Sequence, residues 1–308
     1  MPDPATPKPI WIVSDGKPGH LAQSRGLAQA LHRLSPGVSI HELPLSPTIP
    51  AVDQGGDLPG PPRILLAAGR RTHQPALALR RRFGGIAIAL MNPGLLTRKR
   101  FDLCVIPRHD GIKDNVNLIT TEGALNTIQP AAHLEPGQGL ILVGGPSHNH
   151  KWDHEAFYRQ LVDLLARRVS MQWTATTSRR TPGQTTSALF QLVGRDGADM
   201  TFVPAEHTPP GWVAEQLARC GEVWVSEDSV SMIYEALSSG ARVGLLPVPT
   251  AGRPGRVARG VESLVQRGRV VRLADWLADT PLPEDQPPLQ EADRVAAWIM
   301  QERSWLND

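Results

Sequence analysis

The chain has 308 residues, 41% hydrophobic and 20% charged, an ordinary globular composition that excludes a disordered or fibrous chain. A formal net charge of +2 supplies no global field for nucleic acid, so none is expected as a partner. Two cysteines far apart, Cys104 and Cys220, make neither a disulfide framework nor a metal pattern.

In chain order, short apolar runs predict strands at Ile10–Val13, Val38–Leu43, Ile64–Ala68, Ile86–Leu90, Leu103–Ile106 and Val116–Ile119. Several are nearly continuous apolar runs, which suits strands covered on both faces. Leu21, Leu27, Ala28, Leu31 and Leu34 predict a helix after the first strand. Ala76, Leu77, Leu79 and the run Arg80–Arg82 suggest another after the third. The stretch Pro44–Pro62, rich in Pro and Gly, reads as a surface loop. The pattern restarts near Leu140, with strands expected at Leu140–Val143, Ser170–Ala175, Met200–Val203, Val223–Val225, Val243–Leu246 and Val270–Arg272. Helices fit between them, on Phe157, Leu161, Leu164 and Leu165, on Val213 and Leu217, and on Val230, Ile233, Ala236 and Leu237. A last helix is expected from Glu291 to Trp305.

Strands alternating with helices imply right-handed βαβ units and parallel sheets. Doing so twice, with a break near residues 120–139, implies an α/β protein of two doubly wound, Rossmann-like domains facing a cleft. The domains are expected at 1–128 and 129–289, with a C-terminal helix over 290–308. No apolar stretch approaches the ~18–20 residues of a membrane span, and the start MPDPATPKP lacks a signal core. The expected location is the cytoplasm, with peripheral contact at the inner membrane surface. Arginine is dense at Arg70, Arg71, Arg80, Arg81, Arg82, Arg98 and Arg100, as either a solvated basic face or a site for an anionic substrate or acidic membrane.

In such folds ligands bind beyond the carboxyl ends of strands, so the loops there are where chemistry is sought. SDGKPGH, residues 14–20, follows the first strand. Its glycines, including Gly19, let amides approach a ligand, Lys17 adds charge, and Asp15 or His20 could be a general base. An ordinary βα turn capped by Asp15 fits equally. Arg70 and Arg71 follow the third strand and suit a phosphate or carboxylate. Asn92 follows the fourth, and His109 beside Asp110 the fifth. In the second half Gly144, Gly145 and Ser147 leave room for a ligand, and Ser178 and Arg179 lie in a basic, hydroxyl-rich loop that could hold a diphosphate. His148, His150 and His154 have poor spacing for a metal, and none is expected. Ser226, Asp228 and Ser229 precede a helix that Ser229 or Asp228 can cap. Glu235 on that helix could accept hydrogen bonds from two ribose hydroxyls, or simply lie on the surface of a capped βαβ unit.

SEDSVSMIYEALSSGARVGLLPVP resembles the donor-binding segment of GT-B-fold glycosyltransferases, in which a small-residue loop meets the donor phosphates and a helix Glu holds the ribose. SDGKPGHLAQSRGLAQAL is similar to the first loop and helix of that fold, comparable to the GGH loop of the GlcNAc transferase that makes peptidoglycan lipid intermediates. More specifically, SDGKPGH, FDLCVIPRHD, GGPS and SEDSVSMIYEAL resemble the mitochondrial-fission Elm-type family, over about residues 10 to 250. That family has many bacterial members, and its plant namesake is described as an adaptor that brings a dynamin-like protein to mitochondria. Related sequences tend to have His or Gln before Pro93, where this chain has Asn92.

The resemblance implies a metal-independent glycosyltransferase using a nucleotide-diphosphate sugar, with no cofactor and a cell-envelope sugar or lipid-linked acceptor. Asp15 or His20 would be the base. Arg179 and the helix start near Ser229 would stabilise the leaving diphosphate in place of a metal. A sugar-nucleotide epimerase of the same fold, or a non-catalytic adaptor on this scaffold, are the alternatives.

Overall fold

The computed structural model describes residues 8–45, 60–194, 199–252 and 255–303. They form two compact units: residues up to Thr127 together with Gln290 onward, and Ile128–Leu289. Most of the expected Pro44–Pro62 loop and Trp305 of the last helix lie outside the described residues.

The first unit contains β1 (Lys8–Ser14), α1 (Pro18–Leu34), β2 (Val38–Pro44), β3 (Ile64–Ala68), α2 (Arg70–Phe83), β4 (Ile86–Leu90), α3 (Leu95–Arg98), β5 (Leu103–Pro107) and β6 (Leu118–Thr121). Its sheet order is β2-β1-β3-β4-β5-β6, and every pair is parallel. The residues of β3 and β5 are buried throughout, as continuous apolar runs require. Ile10, Ile12, Leu27, Leu31, Ile64 and Leu66 pack on the α1 face, and Trp11, Leu65, Ala76, Leu77 and Phe101 on the α2 face. The strand expected at Val116–Ile119 begins two residues later. Asn115 and Leu118 exchange backbone hydrogen bonds at 3.0 Å and the Asn115 Oδ1 accepts from the Asn117 amide at 2.9 Å, so Val116 and Asn117 are taken up in a turn.

The second unit contains β7 (Glu135–Val143), α4 (His154–Arg167), β8 (Gln172–Thr177), α5 (Gly183–Leu192), β9 (Asp199–Val203), α6 (Trp212–Leu217), β10 (Cys220–Ser226), α7 (Val230–Ser239), β11 (Arg242–Leu246), α8 (Arg256–Gln266), β12 (Val271–Arg272) and α9 (Leu273–Leu277). Its sheet order is β12-β11-β10-β7-β8-β9, again all parallel. β7 starts five residues before the apolar run because its polar beginning, Glu135–Gly139, pairs with β10 and β8. The sheet is covered by α4 and α5 on one face and by α7 and α8 on the other.

The chain then returns to the first unit as α10 (Glu291–Arg303), whose Val295, Ala296 and Ile299 are fully buried in the α1-side core. Arg33 pairs with Asp293 at 2.6 Å and the Glu122 amide donates to Glu291 at 2.8 Å, which seats the helix. Among the described residues no helix is long and apolar enough to cross a membrane.

Because α10 completes the first core from the far end of the chain, Ile299→Ala should destabilise that unit by about 2–4 kcal/mol. Urea unfolding measures the loss, and amide exchange should quicken in α1 and β3 while the second unit keeps its protection.

Candidate functional site

In the first unit the chain leaves the sheet in opposite directions from the neighbours β1 and β3, with α1 on one face and α2 on the other. The loops after β1 and β3 therefore part at the carboxyl edge, where doubly wound sheets bind ligands. Local bonds bend the first loop. Ser14 Oγ accepts from the Gly16 amide at 3.1 Å, and Asp15 Oδ1 from the Lys17 amide at 3.2 Å. Pro18 opens α1, and no side chain caps it.

His20, in the first turn of α1, folds back on the loop. Its Nδ1 lies 3.1 Å from both Asp15 carboxylate oxygens. The Asp15 side chain is 1% exposed, that of His20 21%. Burial raises the Asp15 carboxyl, but the Lys17 amide, the His20 hydrogen bond and the charges of His20 and Lys17 together bring it below its ordinary value. With Nδ1 engaged, Nε2 is the nitrogen left to take a proton, the arrangement of a base and its orienting carboxylate. Gly69, after β3, completes this packing. Its φ is +88°, and a Cβ there would collide with the His20 ring, so only glycine lets the two loops meet.

Other expected residues sit around this pair. Lys17, Gly19 and Arg70 are exposed, Gly19 offering its carbonyl to Gln23 at 3.2 Å. Asn92 Oδ1 accepts from the Gly94 amide at 3.0 Å, next to Met91, whose φ of +73° is unusual for a side chain of its size. His109 lies in a 3₁₀ turn after β5. β4 and β5 stand two and three positions from β1, so the sheet places Asn92 and His109 further along the same edge than His20. Sequence reasoning missed His73. It is 4% exposed, its Nε2 has no hydrogen-bond partner among the described residues, and burial followed by the charges of Arg70 and His20 lowers its proton affinity. The helical spacing marks it only as a core position.

In the second unit the switch lies between β7 and β10, whose following helices α4 and α7 cover opposite faces. Here three loops close on each other. The Gly144 amide donates to Ser226 Oγ at 2.7 Å and the Gly145 amide to Asp228 Oδ2 at 3.0 Å. Arg180 pairs with Asp228 and donates to the Gly145 carbonyl. Thr181 Oγ1 donates to the Val143 carbonyl at 3.2 Å and accepts from the Ser178 amide at 2.9 Å. A Cβ on Gly144 would collide with the Asp228 carboxylate, and one on Gly145 with the Arg180 carbonyl. The two glycines thus admit neighbouring loops, and both their amides are held within the protein. Arg180 and Thr181 went unnoticed in the sequence because nothing local separates Arg180 from Arg179.

The capping expectation for α7 needs correction. Ser229 occupies the cap position but makes no side-chain cap hydrogen bond, and the Asp228 carboxylate is drawn to Arg180 and Gly145 instead. Ser147 Oγ accepts from the amides of Asn149 at 3.2 Å and His150 at 3.1 Å. His150 faces Ser147 and His154 faces Thr185, and among the described residues no three His, Cys, Asp or Glu side chains are grouped to hold a metal. Of the residues expected here, two charged groups have no hydrogen bond or ion pair among the described residues. Arg179 is exposed at the end of the β8 loop. Glu235, midway along α7, is partly buried, and desolvation pushes its carboxyl up to about 7.

The sequence profile of a family described as Mitochondrial fission ELM1 matches residues 18–303. No functionally curated protein matches the sequence. Among solved structures, the glycotransferase of kitacinnamycin is 15% identical, with a TM-score of 0.52 over 96% of this chain and 99% of that one. A protein described as a UDP-N-acetylglucosamine 2-epimerase from Listeria monocytogenes is 11% identical, with a TM-score of 0.52 over 96% and 88%. Phytolacca americana UGT2 complexed with UDP-2-fluoro-glucose and pterostilbene is 11% identical, with a TM-score of 0.50 over 97% and 92%. At these identities the likeness is one of fold, and the fold is that of GT-B proteins.

Glu235 makes stability depend on pH. Its folded carboxyl holds a proton more tightly than the ordinary value of 4.5, so its burial costs nothing below about pH 4. The cost grows as pH rises towards 7 and reaches up to about 3 kcal/mol above it. Glu235→Gln should therefore raise Tm at pH 8 and leave it unchanged at pH 4, as read by thermal melting.

Proposed function

The chain belongs to the mitochondrial fission ELM1 family, and on that premise we propose that it is a glycosyltransferase-like protein whose second unit binds a nucleotide-diphosphate sugar. One observation carries the reading: Glu235 presents a partly buried carboxyl with no partner among the described residues, on the helix that follows the switch-point loop. An unpaired carboxyl held in a desolvated place is costly to the fold and is the group that two vicinal hydroxyls of a ribose would satisfy. Ligand hydroxyls donating to the carboxylate would favour its charged form. Arg179, exposed and unpaired among the described residues, and the amino end of α7 are the positive groups for the diphosphate. Gly144, Gly145, Ser178, Ser226, Asp228 and Ser229 fix the loops that carry these groups, and Ser147 sits on the exposed turn beyond them. That UGT2, a protein of this fold, is complexed with a UDP sugar agrees with this reading.

For transfer, the acceptor hydroxyl attacks the anomeric carbon, its proton passes to His20 Nε2, and the bond to the diphosphate breaks with the electron pair leaving on the diphosphate. Asp15 orients the ring through Nδ1 and stabilises the imidazolium that forms. The competition between His20 and Asp15 is thereby given a division of roles, with His20 the base and Asp15 its orienter. Lys17, Arg70, Asn92 and His109 are assigned to the acceptor, a sugar or lipid-linked sugar of the cell envelope. The reaction proposed needs no metal or organic cofactor.

A second reading has an observation of its own. The amides of Gly144 and Gly145 are already occupied by Ser226 and Asp228, as in a scaffold that has closed its phosphate loop and serves as an adaptor.

Isothermal titration with UDP, and with the other nucleoside diphosphates, separates the two readings. Binding of one of them, weakened at least about tenfold by Glu235→Ala, is the expected outcome. Unchanged affinity in that variant would sink the donor-site assignment, and no binding of any nucleotide would favour the adaptor. With a donor identified, His20→Ala should abolish transfer while leaving donor affinity intact. Asp15→Asn should lower kcat by about 10²–10⁴.

A further inference from the structure

The outer face of the first unit carries a charge imbalance that donor binding does not use. Between Gly60 and Pro107 stand nine basic residues and a single acidic one, Asp102, in a chain whose net charge is only +2. Two segments bring those of α2 and of the stretch after α3 together. Arg100 Nη1 donates to Gln74 Oε1 of α2 at 3.3 Å, Arg80 of α2 donates to the Arg100 carbonyl at 3.3 Å, and the rings of His73 and Phe101 meet edge to face at 5.5 Å. The stretch from α3 to β5 therefore lies alongside α2. Its one acid is consumed within the face, since Asp102 pairs with Arg80 at 2.5 Å and accepts from the Ala87 amide at 2.8 Å. Among the described residues, Arg81, Arg98, Lys99 and Arg100 have no acidic partner.

Amid these cations α3 holds out Leu95 and Leu96, 73% and 87% exposed. None of the four residues of α3 is buried. Single exposed leucines need no explanation, but two in succession on a turn that contributes nothing to the core, followed at once by Arg98-Lys99-Arg100, form a pattern with a physical use. Basic side chains are drawn to an anionic leaflet, and adjacent apolar side chains add insertion into the boundary between headgroups and acyl chains. A nucleic-acid backbone would satisfy the charges but leave both leucines in water.

We propose that the α2–α3 face docks the first unit on an anionic lipid bilayer, with Leu95 and Leu96 entering the acyl boundary and Arg81, Arg98, Lys99 and Arg100 against the headgroup phosphates. The face lies in the unit that does not carry Glu235, so docking and nucleotide binding can succeed or fail separately.

Flotation of the full chain with vesicles tests this, comparing pure phosphatidylcholine with three parts phosphatidylcholine to one part phosphatidylglycerol. Partitioning onto the anionic vesicles should exceed that onto the neutral ones by at least about tenfold and should fall in high salt. Leu95→Ser with Leu96→Ser should reduce it by about tenfold or more. Replacing Arg98, Lys99 and Arg100 by Gln should reduce it by about a hundredfold, at about fivefold per charge. Both variants should keep the wild-type melting temperature, because these side chains are not part of the core. The proposal is overturned if the wild type ignores anionic vesicles, if the leucine variant binds them as well as the wild type, or if duplex DNA or RNA competes the protein off them at equal phosphate concentration.

Discussion

The constraint on which the rest of this protein depends is that each sheet is parallel and apolar on both faces. Such a sheet is stable only under helices on both sides, and a chain can cover both sides only by starting in the middle and winding outward in two directions. In the first unit the reversal falls between β1 and β3, in the second between β10 and β7. At each reversal two loops diverge at the carboxyl edge and leave polar groups that no helix covers. Burial of Ile10, Ile12, Ile64, Leu65 and Ile141 thus decides where His20 and Asp228 stand.

The two switch points use that position differently. At the first, the loops touch through the His20 ring packed on Gly69, and one ring nitrogen is left over. At the second, three loops lock through Ser226, Asp228 and Arg180, satisfying the glycine amides internally. The unsatisfied groups there lie further out, on Arg179 and Glu235. The Arg180–Asp228 pair, buried only on the carboxylate side, contributes more to fixing one loop arrangement than to net stability. This rigidity suits a site whose ligand groups must be held ready rather than assembled on binding.

Charge is handled differently again. At the carboxyl edges His20 meets Asp15 and Arg180 meets Asp228, whereas the α2–α3 face gathers cations that the core does not use. The polar ends of α10 show how such groups can be recruited for packing: Arg33, Asp293 and Glu291 fasten a helix from the far end of the chain onto the first unit. Among the described residues no carboxylate fastens Arg98, Lys99 and Arg100 in that way.

The sequence by itself determined the alternation of strands and helices and the restart near Leu140, because apolar periodicity and glycine placement are local properties of the chain. It marked Asp15, His20 and Glu235, and its errors were at ends, as where Asn115 delays β6. It did not show that His73 is buried against Phe101 or prefer Arg180 to Arg179. Those were decided only by the tertiary structure. Each depends on a contact between segments distant in sequence, as His73 is from Phe101 and Gly145 from Asp228, and no local pattern encodes a contact that folding alone brings about.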